Sequence, residues 1–380
     1  MDTEQKQNGT VKTKFANEKG FLLIAALTLL TVLALLGTTA YILSSTDIKI
    51  GSNYRNTQLA LQVAIGGAEQ ARAKLVSDLY PTSGSLVSLS TKLAAVKGPN
   101  NVLNGYASGS DDIVLASGSL NGATYVAYLT SDTLDANGQY STTDSNSKAL
   151  ITSVATGPSN ATARVEMVVY SPAGLASTPG AVYSKGDVTG GGDHLTIDGT
   201  DACGVETGKK AVYTTATSSL NGDSHLTGGV TTMGSTNIDI ASYIDALKNG
   251  AATSLTADVT SSTTYGTSTN YTTVYSDTNS PPNAQGLTLQ NVTGYGILLV
   301  KGDLVLKSGF QWNGTILATG SVTLDASGGN INIQGLILTG TNNTTDITVS
   351  GTNTIRYDSC KVKNSLGGGV RMVNWKQTTY

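Results

Sequence analysis

Glu18-Lys19-Gly20-Phe21-Leu22-Leu23-Ile24-Ala25-Ala26-Leu27-Thr28-Leu29-Leu30-Thr31-Val32-Leu33-Ala34-Leu35-Leu36-Gly37-Thr38-Thr39-Ala40-Tyr41-Ile42-Leu43 is the stretch on which the reading of this chain turns. From Phe21 to Leu43 there are 23 residues without a charge. At about 1.5 Å of rise per residue they make about 35 Å of helix, enough to span a hydrocarbon core of about 30 Å. Thr28, Thr31, Thr38 and Thr39 fit such a helix, because their hydroxyls bond back to the preceding turn. A secretory signal peptide has a shorter apolar core followed by a small-residue cleavage site. Here the small residue, Gly20, precedes the run. A single-pass anchor is the plainer alternative.

Lys6, Lys12, Lys14 and Lys19 precede the span, whereas Lys49 and Arg55 follow it. This modest excess places the N-terminus in the cytoplasm and exports the remainder. Beyond the span, Leu61, Ala64, Ala68, Ala71, Leu75 and Leu79 recur at steps of three and four, the pattern of an amphipathic helix. Tyr80-Pro81 ends it. Gly51-Ser52-Asn53 is the expected break between the two helical halves.

Glu18-Lys19-Gly20-Phe21-Leu22-Leu23-Ile24 resembles the site that prepilin peptidase cuts, between Gly20 and Phe21. Gly51-Ser52-Asn53-Tyr54-Arg55-Asn56-Thr57-Gln58-Leu59-Ala60-Leu61-Gln62-Val63-Ala64 is similar to the segment after the helix in PilX-type minor pilins of type IV pili. Leu61 stands where that family has an aromatic, and Ile65-Gly66-Gly67 where it has Glu-Ala-Gly. The likeness covers residues 18–75. It implies cleavage after Gly20, methylation of the new N-terminal Phe21, and a helix that is first a membrane anchor and then part of a filament. Its implied partners are other pilins, prepilin peptidase and the inner membrane, with pilus or cell-surface exposure after assembly. Major pilins carry a Glu at the fifth mature position, and here that position is Ala25. Main building block is therefore the less expected role.

The chain has 380 residues, of which 13% are charged and 44 are glycine, with a net charge of −3. That balance gives no electrostatic case for nucleic acid. Low charge with abundant Thr, Val, Ile and Gly fits extracytoplasmic β-structure rather than disorder. Residues 82–120 give weak signals. Ala123–Leu129, Ala149–Ala155 and Ala163–Tyr170 read as strands, the last two joined by the turn Gly157-Pro158-Ser159-Asn160. Helix followed by antiparallel meander makes an α+β, pilin-like head over 81–172. Ser171-Pro172-Ala173-Gly174 marks the boundary to a mostly-β domain, 173–380.

That domain contains a repeat. Leu298–Leu306 aligns with Ile316–Leu324 at an 18-residue step, Leu336–Gly340 continues it 20 residues on, and Val182–Val188 is a distant copy. Each unit reads as two short strands joined at a glycine, and stacked units would form a parallel β-solenoid. An antiparallel sandwich is the alternative. Residues 200–290 read as a long loop or poorly formed rungs, with one short helix at Ile238–Leu247.

Cys203 and Cys360 are the only cysteines, and an exported pair suggests one disulfide; two buried thiols are the alternative. His194 and His225 have no partner at metal-ligand spacing, so no metal and no cofactor are expected. Asp303, Asp325 and Asp346 lie near rung turns, where aligned carboxylates would suit a polysaccharide-active enzyme. Asp303 aligns with Ser321, so no carboxylate ladder repeats. Gly190-Gly191-Gly192-Asp193 and Gly367-Gly368-Gly369 are lone glycine runs without phosphate-loop context. The expected function is a non-enzymatic minor pilin at a pilus tip or initiation complex, promoting assembly and adhesion. The alternatives are a type II secretion pseudopilin and a membrane-anchored polysaccharide-active β-helix enzyme.

Overall fold

The computed structural model describes residues 18–81, 86–94, 113–132, 134, 144, 146–192, 194–222, 225–232, 238–278, 286–340, 345–366 and 370–379. Its first element, α1 (Glu18–Leu79), is one continuous helix of 62 residues. No break occurs at Gly51-Ser52-Asn53. A lone helical glycine costs only about 1 kcal/mol, and nothing lies within 4 Å of a Cβ built on Gly51 to force a bend. Through its first half the helix packs against nothing among the described residues. From Ala60 it buries a face of Ala60, Val63, Ala64, Ala68, Ala71, Leu75 and Leu79, and Leu61 is only half-buried. Tyr80-Pro81 ends it, as the sequence implies, and a short helix, α2 (Leu89–Leu93), follows.

That face packs on a five-stranded antiparallel sheet. Four strands follow in sequence: β1 (Ile113–Leu120), β2 (Ala123–Ser131), β3 (Lys148–Thr156) and β4 (Thr162–Tyr170). β1 falls in the stretch with weak signals. β3 and β4 turn at Gly157-Pro158-Ser159-Asn160, where Ser159 and Asn160 take positive φ. The fifth strand is Arg371–Thr379, antiparallel to β4. The sequence allots it to the 173–380 domain, but the ladder places it in the head, so the chain leaves the head and returns. Small helix residues let α1 approach the sheet closely. A Cβ on Gly67 would lie 2.4 Å from the Tyr125 ring and 2.6 Å from Ser153 Oγ.

The remaining strands form one parallel stack, so the antiparallel sandwich is excluded. Each complete turn contributes three strands, not two, one to each of three ladders. The turn that starts at Leu298 continues through Leu304 and Gln311; the next runs through Ile316, Val322 and Asn332. Leu298 pairs with Ile316 and Leu306 with Leu324, which is the 18-residue step. The following step differs from the sequence alignment by one residue, because Ile316 pairs with Ile337 rather than Leu336. The extra residues sit in an exposed corner, Ser327–Asn330. At another corner Gly296, Gly314 and Gly335 stack with φ of 143°, 139° and 147°. A Cβ on Gly335 would stand 1.7 Å from Gly314 O, so only glycine fits.

One ladder is covered on both sides. Its inward column includes Leu298, Ile316, Ile337, Val182 and Val212. Its outward column, Leu299, Leu317, Leu338 and Tyr183, is equally buried, because α3 (Ile240–Leu247) and α4 (Ser359–Ser365) lie against it. Thr315 Oγ1 and Ser365 Oγ are 2.9 Å apart there. The second ladder alternates instead. In Leu304–Lys307 the leucines are buried, and Val305 and Lys307 are half-exposed.

The turns do not stack in chain order. Ile337, Ile347 and Ile355 of the last turn pair in parallel with Val182, Val188 and Ile197 of the first. The chain starts inside the stack at Val182 and adds turns at Val212 and Val230 in one direction. It then crosses through α3 to the far end and builds back through Thr253, Val274, Leu298 and Ile316 to Ile337. The seam is where the two blocks meet. Val182–Val188 is a turn of the same stack, as the repeat implies, and is the immediate neighbour of the last turn. The described residues of 200–290 include strands of this stack on both flanks of α3, so the stretch contributes rungs rather than one long loop.

Candidate functional site

Two places in this fold concentrate chemistry that packing alone does not explain. The first is the free half of α1. Phe21 is 74% exposed and Leu33 58%, and the apolar side chains of residues 21–43 all face outward. The helix is long and apolar enough to cross a membrane, with a mean hydropathy of 2.5 in its most apolar window. Its hydroxyls are internally satisfied. Thr28 Oγ1 donates to Ala25 O at 2.9 Å, Thr31 Oγ1 to Thr28 O at 2.8 Å, Thr38 Oγ1 to Leu35 O at 2.9 Å and Thr39 Oγ1 to Leu35 O at 2.8 Å. A segment with its polar groups bonded to itself and its apolar groups turned outward is matched to lipid or to other apolar helices. Gly20 and Phe21 sit near its start, both exposed. Ala25 offers no carboxylate in this surface. Below the apolar run charges return at Asp47, Lys49 and Arg55, and beside the head Lys74 and Lys92 bracket Asp78 at 2.6 and 3.0 Å. Burial would raise the Asp78 carboxyl, but the two lysines outweigh it and hold it low.

The second place is the seam. Cys203 and Cys360 are joined by a disulfide, with Cα atoms 5.8 Å apart. Beside it Asp201, 8% exposed, collects five hydrogen bonds. Its Oδ1 accepts from Cys203 N at 3.1 Å and Ser359 N at 2.8 Å. Its Oδ2 accepts from Val205 N and Glu206 N, both at 2.8 Å, and from Ser359 Oγ at 2.7 Å. Burial alone would raise this carboxyl; the donors, led by Ser359, reverse the sign and hold it below its ordinary value. Tyr357 donates to Glu206 Oε2 at 2.5 Å, and Lys209 Nζ lies 4.8 Å above the Tyr357 ring. Burial raises the Tyr357 hydroxyl, reinforced by Glu206, and burial lowers Lys209 against the pull of Glu206. Composition and spacing did not single out Asp201, Glu206 or Tyr357. The only local signal was their closeness to the two cysteines.

The other sequence candidates are dispersed. Asp303 Oδ1 accepts from Ser321 N at 2.7 Å and Ser321 Oγ at 3.0 Å, one turn on. Asp187 accepts from Thr217 N at 2.8 Å in the same way, and Asp258 from Thr288 N at 2.8 Å. These carboxylates are ties between successive turns. Asp325 bonds Ser327 and, at 3.3 Å, Ser350 Oγ. The Ser327 bonds hold its carboxyl low, the opposite of what a general acid needs. Asp346 is fully buried. His194 is exposed, and the side chain of His225 lies outside the described residues, as do Asp193 and Gly367–Gly369. Among the described residues, Cys203, Asp358 and Cys360 are the group close enough to hold a metal ion, but the two sulfurs are spent on each other.

No protein-family model matches this chain, and no curated protein matches it. Among solved structures it is similar to the competence-associated pilin ComZ from Thermus thermophilus, at 12% identity over 86% of this chain and 98% of that one. The TM-score is 0.27, a superposition too loose to carry an argument from one molecule to the other.

Proposed function

We propose that the chain is a minor pilin of a type IV pilus system, cut after Gly20, methylated at Phe21 and held in the inner membrane by α1 until assembly. The observation that carries this reading is the division of α1. Its lower face is buried against the head sheet, while its upper half is apolar, self-satisfied and bare. Such a half needs lipid first and neighbouring helices later. The prepilin-like stretch around Gly20 supplies the switch between the two. Ala25 and the bulk of the stack favour a tip or initiating position over a continuous shaft, since this subunit offers no carboxylate to a neighbour's N-terminal amine. The corner carboxylates, used as ties between turns, favour display over catalysis. Mass spectrometry of the mature protein tests the reading: a methylated N-terminal Phe21 is expected, and Gly20→Leu should leave the chain uncut. A mature protein that still begins at Met1 overturns it.

A further inference from the structure

Every step between neighbouring turns of the stack is crossed by the backbone except one. At the seam the turn of Ile337 and the turn of Val182 meet with no peptide link between them. They are held by the three parallel ladders, by the bonds of Ser359 to Asp201 and of Tyr357 to Glu206, and by amide bonds: Lys185 N to Thr339 O at 3.2 Å, Asn353 N to His194 O at 3.2 Å, Tyr357 N to Asp198 O at 2.8 Å, and Ala202 N to Tyr357 O at 2.9 Å. The covalent bond across this step is Cys203–Cys360. Both cysteines are half-buried rather than sealed, and the loop above them is open, with Val205 45% exposed.

We propose that this disulfide is a latch. When it is reduced, the stack parts locally at the seam, while the block that starts at Val182 and the block that ends at Arg356 each stay folded. The reductant is a dithiol. It gives two electrons and two protons to the Cys203–Cys360 bond, which becomes two thiols, and is itself closed to a disulfide. The device follows from the order of the turns. An unlatched step loses its tether, whereas every other step keeps one, so opening becomes cheaper at one place only. What opens is a pair of parallel edges, at Gly180–Ser184 and Leu195–Asp198 on one side and the last turn on the other.

Hydrogen exchange read by mass spectrometry on the full chain in detergent, with and without dithiothreitol, tests this. The probes are the four seam amides, Lys185, Ala202, Asn353 and Tyr357. The internal standards are amides that bridge tethered steps: Leu304 N to Ser321 O at 2.8 Å, Thr319 N to Val300 O at 3.0 Å and Asn332 N to Phe310 O at 3.0 Å. Reduction should speed the seam amides about tenfold or more and leave the standards within about twofold. The Cys203→Ser, Cys360→Ser double variant should show the same pattern without reductant. Both sets accelerating together would mean that the disulfide supports the whole stack rather than one joint. Neither set changing would mean that the ladders alone hold the seam. Each of these results overturns the proposal.

Discussion

The covered ladder and the second ladder pass through the same turns, yet their sequences obey different rules. In the covered ladder the strands read Ile297-Leu298-Leu299-Val300, Thr315-Ile316-Leu317-Ala318 and Leu336-Ile337-Leu338-Thr339, with no exposed position. In the second they read Leu304-Val305-Leu306-Lys307 and Val322-Thr323-Leu324-Asp325, with burial at every other position. A strand with packing on both faces loses its alternation, and one with a wet face keeps it. The difference shows where α3 and α4 lie before either helix is identified. A sheet's covering can be read from which of its strands stop alternating.

The sharpest way to break the contrast is to place one charge on the outward column of each ladder. Leu317→Lys puts an ammonium between two packed layers and should cost more than about 4 kcal/mol, enough to prevent folding of the stack. Loss of the cooperative transition in circular dichroism reads it out, and a variant that melts like the wild type would mean that nothing covers this ladder. Next in size is Leu304→Ala on the inward column of the second ladder, which should cost about 2–5 kcal/mol by transfer and cavity terms together. Urea denaturation measures it.

A third test moves to the corner loop that feeds the covered ladder. Asp201→Asn should destabilise by about 2–3 kcal/mol at neutral pH, because an amide replaces a charged acceptor of five bonds. The folded carboxyl lies below its ordinary value, so its stabilisation is complete above that ordinary value and fades as pH falls through the lower, folded one. Urea midpoints of wild type and variant should therefore converge in acid. A gap that stays constant with pH would mean that shape rather than charge matters at this site. The smallest effect belongs to Thr323→Lys, on the wet side of the second ladder, expected within about 0.5 kcal/mol of wild type. A loss as large as that of Leu304→Ala would show that this face is covered too.

Much of this fold was legible. Thr28, Thr31, Thr38 and Thr39 bond back as the apolar run required, and Tyr80-Pro81 stops the helix. The 18-residue register, the short helix near residue 240 and strands β2 to β4 were all written locally. The failures were non-local. Gly51 looked like a break because propensity cannot weigh one weak residue against a helix continuous on both sides. The third strand of each turn escaped notice because polar positions such as Gln311 and Asn313 outnumber its apolar ones. A repeat shows that turns are alike but not which turn sits on which, so the seam left no trace in the spacing. The same holds for the return of Arg371–Thr379 to the head, since pairing with β4 spans some two hundred residues. At the seam, the cysteines were visible and their polar neighbours were not. Asp201 and Tyr357 gain meaning only when the first and last turns are brought together.

The chain enters the stack at Gly180 and leaves it at Arg356, on two adjacent turns. Seen as mechanics, this puts the anchorage of the stack at an intermediate joint rather than at a tip. Tension applied through α1 and the head reaches those two turns and is shared across the Cys203–Cys360 bond. The terminal turns, at Thr253 and Val230, lie beyond those two turns and carry only the load applied to them directly. Turns added at either end leave the two entry points unchanged.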